Sequence, residues 1–87
     1  MKAYVYILKS KTSGKYYIGS SSNLERRLKQ HRRGHTHTTK RIGDWELVFF
    51  QDVATLEMAR KAERRIKTWK RKDYIDKIVE DGKINFL

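Results

Sequence analysis

The chain is short, strongly basic and free of cysteine: 87 residues carry 21 Lys and Arg against 10 Asp and Glu, a formal net charge of +11. This length predicts a single domain over 1–87, and the composition excludes disulfides and a cysteine-ligated zinc site. The charge favours a polyanionic partner, most of all nucleic acid, and the lack of a signal peptide or of an apolar run near about 20 residues predicts a cytoplasmic protein without membrane contact.

The first two predicted elements are strands that form a hairpin. Residues 3–9 alternate, and both alternating sets are apolar or aromatic, which is typical of a central strand covered on both faces. The polar stretch 11–14 ends in Gly14, which can adopt the positive φ that a tight turn needs. Residues 15–19 then return as the second strand.

The length of the hairpin loop predicts the register of these two strands. A loop of four residues pairs Ser10 with Lys15, and consequently Tyr6 with Gly19. Tyr6, Tyr17 and Gly19 then share one face of the hairpin, whereas a shift of one residue would separate the two tyrosines. Because glycine has no side chain, we expect room at Gly19 for a ligand to approach the backbone.

A first helix is predicted over 23–33, after a turn rich in serine. Ser22 and Glu25 have the spacing of a capping box, and Gly34 is suited to end the helix. A polar, basic stretch follows over 35–41.

The faces of this helix separate apolar from polar side chains. Leu24 and Leu28 form the stripe that we expect to be buried. Arg27 and His31, four residues apart, lie together along one edge of that stripe. The tyrosines and glycine of the hairpin and this Arg–His pair therefore converge on one small region.

The second half of the chain is predicted to add one strand and two helices. The apolar stretch within 45–51 predicts a buried third strand, a helix capped by Thr55 follows, and a short helix capped by Asp73 ends at Gly82. The longer helix has an apolar stripe at spacings of three and four residues, formed by Ala59, Ala62, Ile66 and Trp69. The order is β-β-α-β-α-α, and we predict an α+β fold in which helices flank a small three-stranded antiparallel sheet.

Two stretches of the sequence resemble one nuclease family. Tyr4-Val5-Tyr6, ten residues of hairpin, Tyr17-Ile18-Gly19 and then Arg27, eight residues after the glycine, resemble the signature of the GIY-YIG nucleases, with Tyr4 where the family name has glycine. The stretch from Ala62 to Arg71 is similar to the glutamate helix of the short stand-alone bacterial members, and the chain also resembles the N-terminal nuclease domain of the excinuclease ABC C subunit. The ordered set that carries the resemblance is Tyr6, Tyr17, Gly19, Arg27, His31 and Glu63.

The resemblance implies a metal-dependent endonuclease that hydrolyses phosphodiester bonds in DNA, in repair or recombination. It implies that Tyr17 is the general base that activates water, and that Tyr6 hydrogen-bonds the nucleophile or the phosphate. Arg27 would hold the scissile phosphate with two hydrogen bonds, and His31 would bond phosphate or relay a proton. Glu63 would be the metal ligand, with water and substrate phosphate completing the shell of Mg²⁺ or Mn²⁺.

Taken without the resemblance, these residues have simpler interpretations. Tyr17 is an aromatic residue of a strand, and Glu63 can form an ion pair with Lys67, one helical turn later. The histidines at 31, 35 and 37 suggest zinc, but two of them would share a face only if the helix continued through Gly34. Since no carboxylate or cysteine is obvious nearby, we do not expect a zinc site.

The remaining basic residues predict a nucleic-acid surface. Their expected use is phosphate contact without base recognition, and DNA is a more probable partner than RNA, with a larger repair complex as a further partner. Two other functions remain open: a non-cleaving nucleic-acid-binding module on the same fold, and a structural RNA-binding protein. The predicted contacts are Gly19, Arg26, Lys40, Arg41, Arg60, Arg64, Lys67, Lys70 and Arg71.

Overall fold

The computed structural model describes residues 2–32, 45–69 and 72–84, which form a three-stranded sheet and three helices. Their order is β-β-α-β-α-α, so the predicted α+β fold is confirmed. No helix in these ranges is long and apolar enough to cross a membrane. The elements are β1 (Ala3–Ser10), β2 (Tyr16–Ser21), α1 (Leu24–Arg32), β3 (Trp45–Val53), α2 (Leu56–Trp69) and α3 (Lys72–Asp81).

Strand β1 lies at the centre of the sheet and pairs antiparallel with β2 on one side and β3 on the other. The hairpin register is the predicted one, because Tyr6 pairs with Gly19 and Leu8 pairs with Tyr17. The turn residue Gly14 has a φ of 74°, as its position required. A loop this short leaves few alternative registers, which is why this pairing is predictable from the sequence.

The hydrophobic core lies between one face of the sheet and the helices α2 and α3. Alternate residues of β1 point into it, and the apolar stripe of α2 covers them as predicted; the side chain of Trp69 lies outside the described part of the chain. Because α2 and α3 cover this face, the opposite face is left to α1. The buried side chains include Ala3, Val5, Ile7, Ala59, Ala62, Ile66, Ile75 and Ile78.

Strand β3 is less buried than its apolar sequence predicts. The register between β1 and β3 shifts after Ile7, which pairs with Phe49, whereas the next residue of β1 pairs with Leu47. Phe49 pairs with the core residue Ile7, whereas Phe50 pairs with Tyr6 on the other face and is 55% exposed. The expectation that the whole stretch is buried was therefore wrong for Phe50.

Helix α1 differs from its prediction in its cap and in its buried residue. The cap is Asn23, whose side-chain oxygen accepts the Arg26 N–H at 3.0 Å, rather than Ser22. Strand β2 runs to Ser21, whose hydroxyl accepts the N–H of Asn23 at 3.1 Å, and this bond fixes the start of the helix one residue later than predicted. Among the described residues of α1, the buried side chain is that of His31. Leu24 and Leu28, which were expected in the core, are only half-buried.

The ends of α2 and α3 follow local sequence signals. Thr55 caps α2 as predicted, because its hydroxyl accepts the Met58 N–H at 3.1 Å. Asp73 lies within the first turn of α3 instead of capping it, since the helix begins one residue earlier. Gly82 ends α3 with a φ of 73°, in agreement with the sequence.

Candidate active site

The residues that the sequence singled out meet at the edge of the sheet formed by β2. Helix α1 lies on the face that carries Tyr6 and Tyr17, and α2 packs on the opposite face. The rings of Tyr6, Tyr17 and His31 contact one another. The ring centroids are 6.5 Å apart for the two tyrosines, and His31 lies 5.8 Å from Tyr6 and 5.5 Å from Tyr17. Trp45 adds a ring edge to His31 at 5.9 Å, a contact that the sequence did not predict.

The Tyr6 hydroxyl connects the strand to helix α1. It lies 2.9 Å from Nε2 of the buried His31, and Arg27 Nε donates to it at 3.4 Å. Since a guanidinium can only donate, the Tyr6 oxygen accepts from Arg27, and its own proton is available to a neutral His31. Tyr6 therefore connects Arg27 and His31, while its contact with the nucleophile or the phosphate stays a prediction.

The protonation states of this group agree with that hydrogen-bond pattern. Burial lowers the pKa of His31, and the charge of Arg27 lowers it further, so His31 is neutral near pH 7 and can accept a proton. Burial raises the pKa of Tyr6 although the bond from Arg27 opposes this, so Tyr6 remains a neutral phenol. Tyr6 is consequently unsuited to act as a base.

Arg27 is held by two partners while part of it stays accessible. Besides the bond to Tyr6, its Nη1 donates to Gln30 Oε1 at 3.3 Å. The bond to Tyr6 raises the pKa of Arg27, and nearby Glu63 contributes in the same direction, so the guanidinium is charged at any relevant pH. These contacts distinguish Arg27 from its exposed neighbour Arg26, which sequence position alone did not do.

Gly19 is required by Tyr6 rather than by a ligand. A Cβ atom at Gly19 would lie 2.4 Å from both Cζ and Oη of Tyr6, so the tyrosine ring rests directly on the glycine backbone. The expectation that Gly19 leaves room for a ligand was therefore wrong, because the side chain of its cross-strand partner fills that room. Its expected contact with nucleic acid stays a prediction.

Gly19→Ala should destabilise the protein, because the added methyl group cannot fit beneath the Tyr6 ring. We expect a loss of about 1–3 kcal/mol in the free energy of unfolding, measured by urea titration. The double variant Tyr6→Leu/Gly19→Ala removes the outer ring atoms that clash. Its loss should be smaller than the sum of the two single losses, and additive losses would contradict the steric explanation.

Glu63 reaches the same strand edge from α2, and both of its carboxylate oxygens are bonded. Oε1 accepts the Ser20 hydroxyl at 2.6 Å, and Oε2 accepts from Lys67 Nζ at 2.9 Å. The ion pair with Lys67 is the one that the helical spacing allowed. The sequence did not single out Ser20. Alternation along β2 places its side chain on the face that α2 covers, whereas its neighbour Gly19 belongs to the other face.

Glu63 and Lys67 extend from α2 to the edge strand β2, close to the aromatic residues on its α1 face. Burial raises the pKa of Tyr6 most, and the charge of Glu63 makes a small contribution in the same direction. Lys67 Nζ lies 5.7 Å from the centroid of the Tyr17 ring. The ammonium that pairs with Glu63 thus also lies beside the Tyr17 ring.

The donor set around Glu63 fits one hard divalent cation. No group of three or more His, Cys, Asp or Glu side chains that could hold a metal occurs in the described ranges. A single carboxylate beside the Ser20 hydroxyl, with water and phosphate as the other ligands, is a set that Mg²⁺ accepts. Oε2 is bonded to the ammonium of Lys67, so a metal ion on this oxygen would have to displace Lys67.

The other predicted nucleic-acid contacts are only partly covered by the structure. Arg26 on α1 and Arg60 and Arg64 on α2 are exposed, as a phosphate contact requires. Among the described basic residues of this set, Lys67 is the one in the candidate site, where its ammonium bonds Glu63. The predicted contacts that lie outside the described residues are Lys40, Arg41, Lys70 and Arg71. The histidines at 35 and 37, which were considered for zinc, also lie outside them.

Comparison with known proteins yields one family and a set of short relatives. The profile of the GIY-YIG catalytic domain matches residues 2–77. A UPF0213 protein of Streptococcus pneumoniae serotype 4 is 34% identical over 88 residues, covering 99% of this chain and 87% of the relative. The solution NMR structure of a UPF0213 protein from Bacillus halodurans matches with a TM-score of 0.59 at 31% identity, covering 94% of this chain and 87% of that one.

Proposed function

Because the chain belongs to the GIY-YIG catalytic-domain family of the nuclease superfamily, we propose that it is a metal-dependent endonuclease that hydrolyses phosphodiester bonds in DNA. The observation that supports this most is that Arg27, bonded to Tyr6, and Glu63, bonded to Ser20, meet at the β2 edge that carries Tyr17. We propose that all of these side chains belong to one domain that spans 1–87. The proposed setting is repair or recombination, where a larger complex would direct the domain to its substrate.

Arg27 is the residue that would bind the scissile phosphate. Its Nε and Nη1 groups are engaged by Tyr6 and Gln30, which fixes the plane of the guanidinium. The outer edge can then donate two hydrogen bonds to phosphate oxygens, and its charge offsets the negative charge that grows in the transition state. A fixed guanidinium loses less conformational entropy on binding than a mobile side chain does.

Tyr17 is the proposed general base for the attacking water. Within the described ranges its hydroxyl has no hydrogen-bond partner, in contrast to the Tyr6 hydroxyl, which is engaged by both Arg27 and His31. The ring is half-buried against His31 and Tyr6, so the hydroxyl is held in place while remaining reachable. A positioned group of this kind contributes about 10²–10⁴-fold to rate.

Glu63 would hold the divalent ion, Mg²⁺ or Mn²⁺. The Ser20 hydroxyl orients one carboxylate oxygen. At the other oxygen, the metal ion would displace the ammonium of Lys67. A metal ion bound here supplies Lewis-acid stabilisation of the leaving oxygen. His31, neutral and bonded to Tyr6, maintains the position of Arg27 in this arrangement.

The test of this function is cleavage of defined substrates. Branched, flapped, nicked and linear DNA, and an RNA strand of the same sequence, are incubated with the protein in Mg²⁺ or Mn²⁺. We expect metal-dependent cutting of at least one DNA substrate and none in EDTA. Binding without cutting in every case would favour the alternative, a nucleic-acid-binding module on the same fold.

Binding should weaken steeply with salt, because the net charge of +11 requires counterion release from DNA phosphates. If about 4–6 phosphates are neutralised, log K should fall with log[salt] with a slope of roughly −4 to −5 for duplex DNA. Fluorescence anisotropy of a labelled duplex in EDTA measures this slope without cleavage. A flat response would contradict contact with a polyanion.

A further inference from the structure

A second depression lies on the α2 face of the hairpin, beside the candidate active site. It is a cavity of about 390 Å³ between the β1–β2 turn and the helices α2 and α3. This volume is within the range of small-ligand pockets, roughly 300–1,000 Å³.

The floor of this cavity is apolar and one wall is aromatic. Ile18, Ile66 and Ile75 form the buried floor. Tyr16 is half-buried beside them, and its hydroxyl donates to Asp76, which fixes the ring and engages the carboxylate next to the cavity. An immobile aromatic ring over an aliphatic floor suits a flat apolar group such as a nucleobase.

Three lysines line the cavity, and the ammonium of one of them, Lys67, is paired with Glu63. Lys15 and Lys67 are exposed at two sides, and Lys72 reaches across to the turn, where its Nζ would lie 3.7 Å from a Cβ atom at Gly14. These positive charges surround an apolar interior, which is the charge distribution that a nucleotide with its phosphate requires.

The cavity and the candidate active site share residues. Lys67 lines the cavity while its ammonium bonds Glu63. Tyr17, the proposed base, stands in β2 between Tyr16 and Ile18, which alternation turns to the cavity side. A strand whose phosphate is bound at Arg27 and Glu63 therefore has its neighbouring nucleotide within reach of this cavity.

We propose that the cavity binds the nucleotide next to the scissile phosphate of a DNA strand, in unpaired form; this rests on the proposed function. A base inside a duplex is stacked and paired, so its faces cannot pack on Tyr16 and the isoleucine floor. The substrate is then a DNA with an unpaired nucleotide at the cut, as in a flap, a branch or a single strand. Lys15 and Lys72 bind the phosphate on the far side of that nucleotide.

The experiment measures binding in EDTA, so that it does not depend on cleavage. Two flapped DNAs differ only in the first unpaired nucleotide, which is intact in one and abasic in the other. We expect the parent protein to bind the intact flap about tenfold more tightly, the usual contribution of one stacked base. The same comparison with an RNA flap shows which sugar the cavity accepts, and a preference for RNA would overturn the assignment to DNA.

Matched charge variants test the rim. Lys15→Glu/Lys72→Glu should reduce affinity for the intact flap about tenfold more than Lys11→Glu/Lys77→Glu does. The control pair makes the same charge change on the same turn and helix, but neither lysine lines the cavity. Equal losses in both pairs, or equal affinity of the parent for both flaps, would overturn the proposal. A protein that prefers the intact flap but cuts no substrate would refute the proposed nuclease activity and would still support nucleotide binding in the cavity.

Discussion

Glu63→Gln should abolish DNA cleavage while leaving affinity for DNA unchanged or slightly higher. The amide keeps the shape of the side chain and still accepts the Ser20 hydroxyl, so the local fold is retained. It lacks the negative charge that a divalent cation needs. Since a catalytic metal contributes several kcal/mol, we expect the rate to fall by about 10³-fold or more.

The control for this variant is available on the same helix. Glu57 forms the same type of ion pair with Lys61, four residues later, but its side chain is 78% exposed. Glu57→Gln should cut at the parent rate. Single-turnover assays in Mg²⁺ and Mn²⁺ compare the three proteins, and anisotropy in EDTA gives their affinities. Cleavage by Glu63→Gln at the parent rate would refute the metal role.

The affinity measurement separates a lost catalyst from a lost binding site. Removing one negative charge from a strongly basic surface weakens repulsion of DNA, so affinity should rise slightly if it changes at all. A fall in affinity equal to the fall in rate would instead mean that Glu63 supports the DNA-binding surface. The inactive, binding-competent variant is also the appropriate protein for structural work with DNA.

Tyr17→Phe should reduce cleavage by roughly 10²–10⁴-fold with little change in stability. The substitution keeps the ring that packs against His31 and Tyr6 and removes only the group that would accept a proton from water. That hydroxyl has no hydrogen-bond partner within the described ranges. Its loss should therefore lower the free energy of unfolding by less than the roughly 0.5–1.5 kcal/mol of a typical intramolecular hydrogen bond.

Tyr4→Phe is the matched control, because Tyr4 lies in β1 on the same face as Tyr6, opposite Ser21 and away from the site. The chain neighbour Tyr16 does point to the other face, as alternation predicts, but its hydroxyl donates to Asp76 and lines the cavity region. Equal rates for Tyr17→Phe and Tyr4→Phe would show that Tyr17 is not the base. Unfolding of Tyr17→Phe alone would identify it as a structural aromatic residue.

Two properties made much of the fold predictable from the sequence. Short-range spacing gives the period of each element, and a short turn gives the pairing of its strands. This is why the hairpin register, the stripe of α2 and the caps at Thr55 and Gly82 agree with the structure. The same register brought Tyr6, Tyr17 and Gly19 to one face, and the helical spacing of Arg27 and His31 placed both beside it.

The sequence by itself therefore determined the order of the elements and the residues that can meet at the β2 edge, since both follow from local periodicity. The tertiary structure alone decided that Asn23 caps α1, that His31 is buried, that Tyr6 fills the space over Gly19 and that Ser20 orients Glu63. Ser20 and Glu63 are 43 positions apart, and Tyr6 and His31 are 25 apart. Such contacts depend on how helices pack on the two faces of the sheet, and no local spacing encodes that packing.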